Sequence, residues 1–218
     1  MEASKDVAAE FTNCRPNDKI GITLLAGETF TQCPLTGDHA VLLDMIHNIK
    51  CGLIEDGTAV GMGIANAVTR LKDSKAKSKV IILLTDGTNN KGDISPLTAA
   101  EIAKSFGIRV YTIGVGTNGM APYPYPVGNT VQYVNMPVEI DEKTLTQIAG
   151  TTDGNYFRAT SNSKLKEVYE EIDKLEKTKL NVKEYSKRDE EYQWFALAAF
   201  LCVLLEVLLR NSILKKIP

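Results

Sequence analysis

VIILLTDGTNN occupies residues Val80 to Asn90. Five apolar residues, three of them β-branched, run straight into Thr85, Asp86 and Gly87. A continuous apolar run closed by a turn signal predicts a strand buried on both faces, which belongs in a parallel sheet covered by helices. Asp86 then stands just past the carboxyl end of that strand, where ligands bind in open α/β sheets. From this stretch alone two readings of Asp86 stay open. It is a ligand or catalytic carboxylate, or it is a turn residue that caps the next segment.

Downstream, Ser95 and Pro96 open a helix that runs to about Phe106, and Gly107 closes it as a C-cap glycine. Arg109 to Val115 is the next strand. Gly116 to Val138 carries Pro122, Pro124, Pro126 and Pro137 and reads as a long loop, with room for a short hairpin at Val131 to Val134. Asp141 caps a short helix to Gly150, Asn155 to Arg158 is a last short strand, and Ser163 to Thr178 is an amphipathic helix with Leu165, Val168, Ile172 and Leu175 on one face.

Upstream, Glu2 to Asn13 has the helical period, with Val7 and Phe11 on its apolar face. Lys19 to Leu25 is a strand, and Thr29 to Cys33 pairs back on it until Pro34 ends it. Asp38 caps a helix to Ile49 whose apolar face is Val41, Leu42, Met45 and Ile49. Gly52 to Gly63 is a glycine-rich loop that runs into a helix from about Ala59 to Leu71. Thr58 falls at that helix start, where its hydroxyl caps the helix or faces a bound ion. The loop lacks the Gly-Lys-Ser/Thr ending of a Walker phosphate loop and the spacing of a dinucleotide fingerprint. Strand, helix, strand, helix, strand in this order predicts a doubly wound parallel sheet.

The whole chain has 218 residues, 44% hydrophobic and 24% charged, with a net charge of -2. Such a balance gives no reason to expect nucleic acid as a partner. Its four cysteines, Cys14, Cys33, Cys51 and Cys202, have no zinc-site spacing; Cys33 and Cys51 read as two buried thiols, with a pairing between them as the alternative in an extracytoplasmic domain. His39 and His47 read as surface residues. The last part changes character. Lys177 to Glu191 is charged and reads as a linker, and Trp194 to Leu209 is almost wholly apolar apart from Glu206. Tyr192 and Trp194 suit one membrane interface, and Arg210, Lys215 and Lys216 the other. The expected division is therefore a globular domain over 1–176, a linker over 177–191 and a transmembrane helix over 192–214. The basic end is expected in the cytoplasm, with the globular domain periplasmic.

Three segments, VIILLTDGTNNKGD, EDGTAVGMGIANAVTRLKDSKAKS and IAGTTDGNYFRATSNSKLKEVYEEID, resemble a von Willebrand factor type A domain. More narrowly they are similar to the bacterial aerotolerance (Bat) membrane proteins, and the resemblance covers essentially the whole chain. It implies a Rossmann-like, mostly parallel sheet whose top carries a metal-ion-dependent adhesion site. The family's site joins an Asp-x-Ser-x-Ser motif, a Thr matched by Thr58 and an Asp matched by Asp86. Mg²⁺ is the implied ion, since it takes oxygen ligands and retains waters. Nothing in residues 1–18 matches Asp-x-Ser-x-Ser, and no strand precedes the first helix. On this resemblance the chain is expected to be N-terminally truncated, to lack the first central strand and to hold an incomplete site. Glu55, Asp56 and Asp93 are the other carboxylates near it in sequence.

Two function classes follow. One is a membrane-anchored protein-interaction module in an envelope complex tied to aerotolerance or stress, with other membrane or envelope proteins, including related von Willebrand A proteins, as partners. The other is an α/β hydrolase or phosphoryl-transfer enzyme using Asp86. The enzyme lacks a GxSxG elbow and a histidine at a strand end, so the module, a non-enzyme, is the expected function.

Overall fold

The computed structural model describes residues 2–50, 52, 56–116, 119–127, 130–138 and 140–185, with single positions between 197 and 209. The chain divides into two compact units, Met1–Lys177 and Thr178–Pro218. In chain order the elements are α1 (Glu2–Asn13), β1 (Ile20–Leu25), β2 (Thr29–Thr36), α2 (His39–His47), α3 (Val60–Leu71), β3 (Lys79–Thr85), α4 (Pro96–Ser105), β4 (Ile108–Val115), β5 (Gly119–Val127), β6 (Thr130–Val138), α5 (Glu142–Thr151), β7 (Tyr156–Ala159) and α6 (Asn162–Tyr185).

The apolar run from Val80 is strand β3, in a parallel sheet ordered β3-β4-β7, with Lys79 opposite Ile108 and Thr85 opposite Gly114. Its alternate residues serve two cores, as a strand covered on both faces must. Ile81 and Leu83 join Val60, Ile64 and Val68 of α3, three alanines of α4, and Leu145 and Ile148 of α5. Val80, Ile82 and Leu84 face Val7 and Phe11 of α1 and Leu165, Val168 and Ile172 of α6. β1 and β2 form a separate antiparallel pair covered by Leu42 and Ile46 of α2. β1 and β3 are not hydrogen-bonded to each other, and α3 packs against both.

The caps are as expected. Asp38 accepts from the amides of Ala40 and Val41, Ser95 from Thr98, and Asp141 from Thr144. Four expectations change. Strand β2 does not stop at Pro34 but runs to Thr36. The missing N–H of a proline is tolerated on an edge strand. On α2, Leu42 is buried and Met45 packs beside it as expected, but Val41 is 45% exposed and Ile46 is the second buried residue.

The segment read as a long loop contains an antiparallel pair, β5 and β6, in which Pro122, Pro124 and Pro126 stand opposite Asn135, Tyr133 and Val131. Prolines at every second position leave all their missing donors on one edge of the strand, so they are compatible with pairing along the other. Finally, α6 continues to Tyr185, into the stretch read as a linker. Cys33 is buried, which pushes its thiol pKa up, and Cys14 is exposed; both are free. Cys51 and most of the expected spanning segment lie outside the described residues. Among the described residues no helix is long and apolar enough to cross a membrane.

Candidate functional site at the carboxyl edge of the sheet

Two loops meet where β3 ends. One precedes α3 and carries Thr58, and the other follows β3 and carries Asp86. Thr85 is buried, and its hydroxyl accepts from the amide of Gly87 at 3.3 Å, which folds the chain sharply past the strand. Asp86 is exposed at that turn. Asn90 then reaches across: its Oδ1 accepts from the Thr58 amide at 2.8 Å, and its own amide donates to the Thr58 carbonyl at 3.0 Å. A Cβ on Gly87 would stand 3.3 Å from the Thr58 hydroxyl oxygen. The structure thus brings Thr58 against the residue next to Asp86.

The start of α3 explains what Thr58 does not do. Asn89 Oδ1, from the other loop, accepts from the Val60 amide at 2.8 Å. A side chain 29 residues away in sequence therefore serves the helix N-terminus that Thr58 was a candidate to cap. The next helix, α4, is capped by Ser95, nine residues past Asp86. The contact is close enough to require glycine on the helix side. A Cβ on Gly61 would lie 2.0 Å from the Ile94 carbonyl oxygen.

A small hollow of about 10 Å³ adjoins the site, lined by Gly87, Asn89 and Asp141 among others. Hydrogen bonds from Thr144, side chain first and backbone second, hold the Asp141 carboxyl below the usual carboxylate range. In sequence Asp141 shows only as a helix cap; its place beside Gly87 follows from α5 packing against α4 and β4. Asn89 and Asn90 had no role predictable from the sequence. Their only signal was an amide pair just after a turn, which is equally common in solvated loops. Among the described residues no three His, Cys, Asp or Glu side chains gather as a metal cluster. Asp56 and Asp93 are exposed, and Glu55 lies outside the described residues.

The von Willebrand factor type A domain family model matches residues 1–171. A crystal structure of the conserved hypothetical protein BatB from Bacteroides thetaiotaomicron is similar, with a TM-score of 0.69 and 32% identity over 81% of this chain and 88% of that one. An aerotolerance-related membrane protein from Bacteroides fragilis gives 0.68 and 28% over 79% and 86%. An uncharacterized protein of Borreliella burgdorferi is 25% identical over 218 residues, and this chain spans 64% of that relative's length. A parallel sheet with helices on both faces, loops meeting at its carboxyl edge and a match over most of the chain agree: the chain belongs to the von Willebrand factor type A domain family and resembles its Bat aerotolerance-related members.

Proposed function

We propose that the chain is a membrane-anchored protein-interaction module whose contact face is the Thr58 and Asp86 edge of the sheet, and that it is not an enzyme. The observation that carries this reading is the Asn90–Thr58 clasp, which fixes two loops side by side beside Gly87. The Thr58 hydroxyl and the Asp86 carboxylate are hard oxygen donors of the kind Mg²⁺ takes. Two such donors supply part of a six-oxygen shell, leaving positions for water and for an acidic group on a partner protein. A bound Mg²⁺ would supply positive charge for that acidic group. This chain's own part is to hold the two oxygens through the loop clasp.

The adjoining hollow has room for about one water, which suits a flat protein contact better than a small substrate. The histidines do not favour an enzyme. His39 bonds the Asp18 carbonyl and His47 that of Leu43, both as surface groups of α2. The similar Bacteroides fragilis protein is described as an aerotolerance-related membrane protein. Together with the apolar run from Trp194, this supports a C-terminal pass through a bacterial inner membrane, a periplasmic domain over 1–176 and envelope proteins as partners.

The test is capture of partners from detergent-solubilised membranes with the full chain, in Mg²⁺ and in EDTA, alongside Asp86→Ala. Partners retained in Mg²⁺ and lost in both other conditions support the reading. Partners retained throughout remove the metal from it. Turnover of a generic phosphate or ester substrate that disappears in Asp86→Ala would replace it with an enzyme.

A further inference from the structure

The opposite end of the same sheet carries a different surface. Lys79 opens β3 and stands in register with Ile108, the first residue of β4. The segments that lead into these two strands are therefore neighbours. One is the turn after α3, with Lys72, Lys75 and Lys77 exposed. The other is the end of α4, with Lys104 exposed and Phe106 43% exposed just before Gly107. Ser78 donates to Glu176 at 2.8 Å, and Arg109 pairs with the same carboxylate. These bonds bring the end of the compact unit, at Lys177, to the same place. Against the five lysines stand Asp73 in the turn, Glu101 one turn before Lys104 on α4 and Asp153 after α5, while Glu176 is engaged by Ser78 and Arg109, so among the described residues the lysines prevail.

An exposed aromatic ring among lysines is the composition of a surface that seats in a lipid interface. The ring enters the headgroup boundary, while the ammonium groups meet anionic phosphates. Phe30, at 55%, is more exposed than Phe106, so what marks Phe106 is the lysines around it and not exposure alone. Beyond Lys177, moreover, the sequence runs on towards the apolar stretch at Trp194.

We infer that this end of the domain, built from Lys72, Lys75, Lys77, Lys79, Lys104 and Phe106, rests on anionic phospholipid. The inference rests on the membrane-anchored reading given above. It adds an orientation: the Thr58 and Asp86 edge faces away from the bilayer, about 20 Å up the strands at ~3.3 Å per residue. Docking of this kind weakens as salt rises, because Lys72, Lys75, Lys77 and Lys104 are solvent-exposed.

The experiment uses the full chain in nanodiscs of brominated phosphatidylcholine, alone or mixed equally with phosphatidylglycerol. Phe106→Trp is made in a Trp194→Tyr background, and circular dichroism verifies the fold. The introduced indole is expected to be blue-shifted and quenched in the anionic discs. Both effects should fall in phosphatidylcholine alone and be lost when Lys75→Glu and Lys77→Glu are added. If the introduced indole stays unquenched in anionic discs while Trp194 of the unaltered chain is quenched there, the anchor stands and the docking surface is wrong. If Trp194 is also unquenched, the anchored reading fails and takes this inference with it. Protection of the indole by an acidic polypeptide but not by anionic lipid would overturn the lipid assignment in favour of a protein partner.

Discussion

Asn90 and Thr58 hold each other by two hydrogen bonds, side chain to amide at 2.8 Å and amide to carbonyl at 3.0 Å. Asn90→Ala removes the first and is expected to cost about 1 kcal/mol in urea unfolding, the usual net worth of such a bond. Asn89→Ala strips the α3 amides of their cap and should cost about 1 kcal/mol as well. On the proposed reading, Asn90→Ala also weakens Mg²⁺ binding measured by calorimetry, although Asn90 is not itself a ligand. Unchanged affinity would show that the clasp does not organise the site.

Thr58→Ala and Asp86→Asn test the donors directly. Each should lower Mg²⁺ affinity while leaving the melting temperature without Mg²⁺ within about a degree, because both sit at the loop surface, where substitutions shift stability by only about 0.5 kcal/mol. A large fall in stability with no change in binding would make both residues structural.

Gly61 and Gly150 should respond to alanine with opposite signs. A Cβ at Gly61 meets the Ile94 carbonyl oxygen at 2.0 Å, so Gly61→Ala is expected to destabilise by about 1–3 kcal/mol. At Gly150, in α5, a Cβ meets nothing within 4 Å. Gly150→Ala should therefore stabilise, by about 0.5–1 kcal/mol. Thermal melts of the two variants check both signs.

Glu176 is a buried carboxylate that accepts from Tyr111 at 2.6 Å, from Ser78 at 2.8 Å and from Arg109. Burial alone would raise its pKa, but the hydrogen bonds from Tyr111, Arg109 and Ser78 outweigh burial and hold it below the ordinary glutamate value. A carboxylate lowered by folding adds stability above its unfolded pKa and loses that stability as pH falls through the folded one. The wild-type chain should thus lose stability on acidification below the ordinary value of 4.5. Glu176→Gln should be less stable at neutral pH, by about 3–5 kcal/mol if Arg109 is left uncompensated. It should also show a shallower acid limb, which denaturant titrations between neutral and acid pH resolve.

A chain ending at Lys187 tests the proposed anchor. It should remain folded and stay in the aqueous phase without detergent, whereas the full chain partitions into membranes. Loss of the fold on truncation, with the full chain soluble, would make the C-terminal segment part of a core.

The types of most elements were written in local sequence. Val80 to Thr85 reads as a strand with two covered faces because a short apolar run on both parities, rich in β-branched residues, is closed by a turn signal, and it is one. Asp38, Ser95 and Asp141 announced helix starts because a cap bonds amides two or three residues away. The prolines of β5 misled because their effect depends on which strand edge they occupy, and only pairing reveals that. Partners distant in sequence were likewise invisible. Asn89 caps a helix 29 residues upstream, and Glu176 binds an arginine 67 residues away. An asparagine in a loop or a glutamate on a helix looks the same in sequence whether it is solvated or bonded across the fold. Sequence alone determined the sheet, the helices around it and the candidacy of Thr58 and Asp86. Tertiary structure decided which loops touch, since that depends on how α3 and β3 pack, and no local hydrogen bond encodes it.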